Sequence, residues 1–208
     1  AATSQSNNTA SFNDASAPTI ASTSINTANT ELTVTFSESV YDTTGATGDL
    51  EVADFALSIA GGTATLGSAT PTSITKTSQT VWVLGFSTSG TANGSETITV
   101  APASSTSIYD AAANAAATSQ SNNTASFNDA SAPTIASTSI NTANTELTVT
   151  FSESVYDTTG GTGDLEVADF ALSITGGTAT LGSAIPTSIT KTSQTVWVLG
   201  FSTSGTAN

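Results

Sequence analysis

The chain has 208 residues, of which 37% are hydrophobic, enough to build real cores, while only 9% are charged, against about 25% in an average soluble domain. Sixteen acids face two lysines, for a formal net charge of -14, which argues against nucleic acid or an anionic membrane as partner and makes cations the natural one. With no Cys, Met or His, disulfides, thiolate zinc sites, Cys or His nucleophiles and imidazole bases are excluded together.

Residues 1–93 align with 116–208 at a shift of 115, and the only differences are Ala46/Gly161, Ala60/Thr175 and Thr70/Ile185. A period of this length is a domain, not a solenoid turn. The turn-rich stretch ASFNDASAPTI occurs at 10–20 and 125–135, which places boundaries at Asp14 and Asp129. The expected organisation is the last strand of a preceding repeat at 1–14, a complete repeat at 15–129, and a second repeat at 130–208 truncated before its last two strands. An excerpt of a longer array is expected.

Helical periodicity is weak, and short alternating runs rich in Thr and Val recur throughout, so the fold class is all-β. In chain order the first repeat predicts strands at about 17–25, 31–37, 54–59, 63–75 with a bend at Pro71, 80–87, 96–101 and 118–128. In ELTVTF, Leu32, Val34 and Phe36 share one face; Trp82, Leu84 and Phe86 do the same and read as core. Seven strands in this length fit tandem immunoglobulin-like β-sandwiches. If strands run up and down, the loop after 31–37 and the loop 107–116 lie at the end where the chain enters.

That first loop is the anomaly of charge. Glu38, Asp42, Asp49, Glu51 and Asp54 fall within 17 residues, with no base among them. Asp14 and Asp110 are expected at the same end, where unrelieved carboxylates repel one another. A hard cation taking oxygen ligands resolves this, and Ca²⁺ is the expected one. No EF-hand spacing is present, so the calcium expectation rests on convergence. Acids elsewhere in the repeat are sparse, Glu31 and Glu96 only. In the second repeat the equivalents are Asp129, Glu153, Asp157, Asp164, Glu166 and Asp169. Lys76, in ITKTSQT, reads as a solvated turn lysine.

The pattern APTI, LTVTFSESV, ADFALS and IYDAAAN resembles the bacterial immunoglobulin-like repeats of giant secreted adhesins and surface proteins, where an Asp-x-Ala-Gly-Asn turn is common. The resemblance implies an extracellular, cell-surface location, tandem stacking and calcium at domain junctions, and it puts Asp110 on the family's Asp. The family's Gly is replaced by Ala113. Catalysis wants a lined cleft with a positioned base, and no enzyme is expected. The first expected function is a structural repeat of an adhesin, stalk or filament with calcium-stiffened junctions, its partners being neighbouring repeats and, through lateral or end-to-end self-assembly, a fibre. The alternative is a calcium-dependent glycan- or surface-binding module acting by avidity.

Overall fold

In a computed structural model describing residues 11–205, every regular element except two single 3-10 turns is a β-strand. Residues 1–10, most of the segment expected to be a preceding repeat's last strand, lie outside the described residues, as do 206–208. The chain divides into two compact units, Ala1–Ser131 and Ala132–Asn208. Among the described residues no helix is long and apolar enough to cross a membrane.

Unit 1 carries β1 (Ile20–Ile25), β2 (Glu31–Phe36), β3 (Phe55–Ala60), β4 (Thr65–Leu66), β5 (Ser73–Lys76), β6 (Val81–Gly85), β7 (Thr88–Ser89), β8 (Thr97–Pro102) and β9 (Thr124–Ser126). They form an antiparallel sheet of order β1-β2-β6-β5, a second of order β3-β8-β9, and the small pair β4-β7. Period-two alternation turns Leu32, Val34 and Phe36 of β2, with Trp82 and Leu84 of β6, toward Phe55 and Leu57 of β3 and Ile98 and Val100 of β8, and all are buried in one core. Phe36 and Phe55 meet across the two sheets with ring centroids 6.3 Å apart.

Two expected strands are divided differently. The run 63–75 is not one bent strand: β4 pairs with β7, while β5 pairs with β6. Between them Pro71 has no N–H to give a ladder, and Gly67 is pressed so close to Ser87 that an added Cβ would lie 2.6 Å from its hydroxyl. The last strand is also shorter than 118–128. Ahead of β9 the backbone is left-handed at Asn122 (φ 56), and the chain is held by side chains, with Gln120 Oε1 accepting from Ile20 N at 2.8 Å and Asn123 Nδ2 donating to Val100 O at 2.7 Å.

Unit 2 carries β10 (Ile135–Ile140), β11 (Glu146–Phe151), β12 (Thr180–Leu181), β13 (Ser188–Lys191), β14 (Val196–Gly200) and β15 (Thr203–Ser204). The sheet β10-β11-β14-β13 repeats the first sheet of unit 1 in order and register. FALSI is a strand at 55–59 and carries no strand at 170–174. The sequences are identical, so the cause is context: β3 owes its ladder to β8, and the described residues of unit 2 hold no equivalent of β8.

One of the three differences between the repeats has a backbone reason. Ala46 sits at φ 54, and its counterpart Gly161 at φ 70, both left-handed. That region costs an L-residue about 1 kcal/mol or more, less what a glycine loses from the unfolded chain. Ala46→Gly should therefore stabilise unit 1 by about 0.5 kcal/mol, read as a higher denaturation midpoint; a lower midpoint would show the loop tolerates alanine freely.

Candidate metal centre

Three segments build the acidic end of unit 1. The loop after β2 is laced to the 107–116 turn by a reciprocal backbone pair, Tyr41 N to Tyr109 O at 2.8 Å and Tyr109 N to Tyr41 O at 2.9 Å. This brings Glu38 beside Asp110. The turn itself is organised by Asp110, which is wholly buried. Its Oδ1 accepts from Ala112 N at 2.9 Å and Asn114 N at 2.7 Å, and its Oδ2 accepts from Asn114 Nδ2 at 2.8 Å. The turn keeps a left-handed residue at Ala113, φ 70. Asn114 Nδ2 also reaches Asp14 O at 3.3 Å and Ser16 O at 3.2 Å, tying the lead-in segment to the same turn.

As a result carboxylate oxygens of Asp14, Glu38 and Asp110 lie within 4.8 Å of one another. Partial burial first, then the charges of Asp110 and Asp14, push the Glu38 carboxyl above its ordinary value. No lysine relieves the cluster. Lys76 ends β5 instead of occupying a turn, and it is ion-paired with Asp49 and stacked over the Trp82 ring at 5.6 Å, so it is a partnered lysine and not simply a solvated one. Lys191 repeats this with Asp164 and Trp197.

Asp54 and Glu51 of the same loop are engaged with each other. Asp54 Oδ2 accepts from Glu51 N at 2.7 Å, closing the 3-10 turn Val52–Asp54. Burial, only partly offset by that bond, raises the pKa of Asp54, with Asp42 and Glu51 adding to the effect. Asp42 lines the approach to Gly48, whose added Cβ would sit 3.3 Å from Asp42 Cβ. Asp129 Oδ1 accepts from Ser131 N and Ser131 Oγ, both at 2.8 Å, as Asp14 Oδ1 accepts from Ser16 N at 2.9 Å. In unit 2, Asp169 Oδ2 accepts from Glu166 N at 2.7 Å, Asp157 N donates to Gly163 O at 3.5 Å, and Glu153 is half-buried on the loop after β11.

Comparison with family models, curated proteins and solved structures gives no match.

The chemistry of the cluster follows from its donors. Three hard carboxylate oxygens from three chain segments suit Ca²⁺, which accepts irregular oxygen cages, better than a softer ion. Asp110 is pre-oriented by the N–H groups it accepts. Asp14 and Glu38 would supply the rest of the protein's charge.

Glu96 is the acid whose role the sequence did not disclose. It is wholly buried. Its carboxylate accepts from Thr63 N at 2.7 Å, Ala64 N at 2.9 Å and Asn93 N at 3.0 Å, joining the 61–64 turn to the start of β8. An added Cβ at Gly62 would lie 2.0 Å from this carboxyl, so the turn and the acid fit only as a pair. The signal was parity: Glu96, Ile98 and Val100 alternate onto one face, and that face is the core.

Proposed function

We propose that the chain is a stretch of non-enzymatic, immunoglobulin-like repeats from an extracellular bacterial adhesin, stalk or filament, in which Ca²⁺ stiffens the point where the chain enters each repeat. The observation that carries this reading is the convergence of Asp14, Glu38 and Asp110 from the lead-in segment, the loop after β2 and the turn after β8. A cation there would join the lead-in to its own repeat in addition to the Asn114 bonds. Strand order supports the immunoglobulin-like assignment: β1-β2-β6-β5 and β3-β8-β9 correspond to the ABED and CFG sheets of constant-type domains. Near-identity of the repeats suits a spacer, which needs length and regularity more than distinct sites.

Calcium at about a hundred times its dissociation constant should add about 2.7 kcal/mol to unit 1, raising its melting temperature by about 10 °C, with EDTA reversing the gain. Scattering should show the lead-in losing freedom in parallel. A melting temperature indifferent to calcium removes the cation from the proposal.

A further inference from the structure

Asn93 and Gly94 form the only asparagine–glycine pair in the sequence, and the fold has a use for both members. Gly94 is left-handed at φ 76, and an added Cβ there would lie 3.2 Å from Asp129 Cβ, so any other residue meets backbone strain and a crowded neighbour together. Asn93 Oδ1 accepts from Ser95 N at 3.1 Å, which folds the side-chain amide back along the peptide that follows it. Asn93 N donates to the buried Glu96 carboxylate at 3.0 Å. Gly94 and Ser95 are exposed, so water reaches the turn.

The same turn holds the segment 129–131 that follows β9. Asn93 and Asp129 pair as an isolated antiparallel bridge, Ala130 N donates to Ala92 O at 2.9 Å, and Ser131 Oγ donates to that carbonyl at 3.1 Å. An asparagine followed by glycine carries its own reaction. Once the Gly94 peptide N–H gives up its proton, the nitrogen can attack Asn93 Cγ: a C–N bond forms, the Cγ–Nδ2 bond breaks, and ammonia leaves carrying a proton from solvent. Water then opens the five-membered imide at one of its two carbonyls, giving aspartate or, with the backbone rerouted through Cγ, isoaspartate. Glycine leaves the attacking nitrogen unshielded by any side chain.

We infer that Asn93 is a self-modification site whose conversion releases segment 129–131 from the turn. Isoaspartate adds one backbone carbon between Asn93 Cα and Gly94 N, inside the span that the bridge to Asp129 needs in register. Either product places a new carboxylate opposite Asp129, in a chain already at -14, and the two repel. The bridge in turn restrains the peptide that must attack. Conversion therefore runs slowly while segment 129–131 is docked, and each event that frees the segment advances it. Turn geometry retains the labile pair because it needs both residues.

The test follows the full 208-residue chain by peptide mass spectrometry at mildly alkaline pH, in EDTA so that it stands apart from the cation reading. The peptide holding residues 93 and 94 should gain about 1 Da as ammonia is exchanged for water, and an isoaspartate-specific methyltransferase should label it. The gain should be about tenfold slower than in the urea-unfolded chain, since attack waits on local opening of the bridge. Asn93→Ser, which keeps an acceptor for Ser95 N, should show no gain there. The converted fraction, separated by its added charge, should exchange the Ala130 amide faster than fresh chain and melt at a lower temperature. A folded chain that never converts while the unfolded chain converts fully overturns the site. Equal rates in the two states overturn the restraint by the bridge, and a converted fraction with unchanged exchange at Ala130 overturns the release.

Discussion

Replacing Glu96 with alanine is expected to lower the unfolding free energy of unit 1 by about 3 kcal/mol, since truncation leaves one buried and two part-buried N–H donors unpaired at up to about 1–3 kcal/mol each, with partial relaxation. The donors are the amides of Thr63, Ala64 and Asn93. Denaturation of the full chain reads the loss, and hydrogen exchange at those amides locates it; a midpoint equal to that of the parent would show that water takes over the carboxylate's role. The pH dependence has a definite sign. Burial alone would raise the pKa of Glu96, but the N–H donors, led by Ala64 and Thr63, outweigh it and hold the group below its ordinary 4.5. A carboxyl with a depressed folded-state pKa contributes fully above the unfolded value and loses that contribution as pH falls through the folded one. Unit 1 should therefore lose stability below about pH 4.5 more steeply in the parent than in E96A.

The second large effect is at Asp110. Asp110→Ala removes the acceptor for Ala112 N, Asn114 N and Asn114 Nδ2, an expected cost of about 2–3 kcal/mol without any metal. It also frees Asn114 from the position in which it holds Asp14 O and Ser16 O. Asp110→Asn separates the two roles. The amide oxygen can still accept from Ala112 N and Asn114 N, while the acceptor for Asn114 Nδ2 and the charge are lost, so D110N should be less destabilised than D110A in EDTA and lose most of the calcium-induced rise in melting temperature. If D110N responds to calcium as the parent does, the cation is held elsewhere and the acids of the 38–54 loop become the place to look.

Much of the fold could be read in the sequence because alternation is a direct record of burial. Leu32, Val34 and Phe36, and Trp82 and Leu84, marked β2 and β6 and their inner faces. What escaped was the sheet switch between β4 and β5, which depends on where Ser87 and Gly85 lie in three dimensions and leaves no periodic trace. At the acidic end, charge density marked the loop without showing which acids converge. Three of the acids meet; Asp49 is drawn off by Lys76, and Asp54 by the backbone of Glu51. Composition counts charges without knowing which have partners. FALSI marks the limit most clearly, since identical residues form a ladder at 55–59 and none at 170–174: strand formation there is decided by a neighbour far along the chain.

The contacts between β1 and the 116–128 segment bear on load. Gln120, Thr124 and Asn128 meet Ile20, Thr23 and Asn29 in ascending order on both sides, so the first and last segments of the unit run alongside each other in the same direction. Tension applied through the two termini pulls these segments past one another along their length. Their bonds are then strained together, in shear, instead of being peeled one at a time from an end. A chain joined in this way resists stretching through its weakest-looking feature, a row of uncharged amides and hydroxyls.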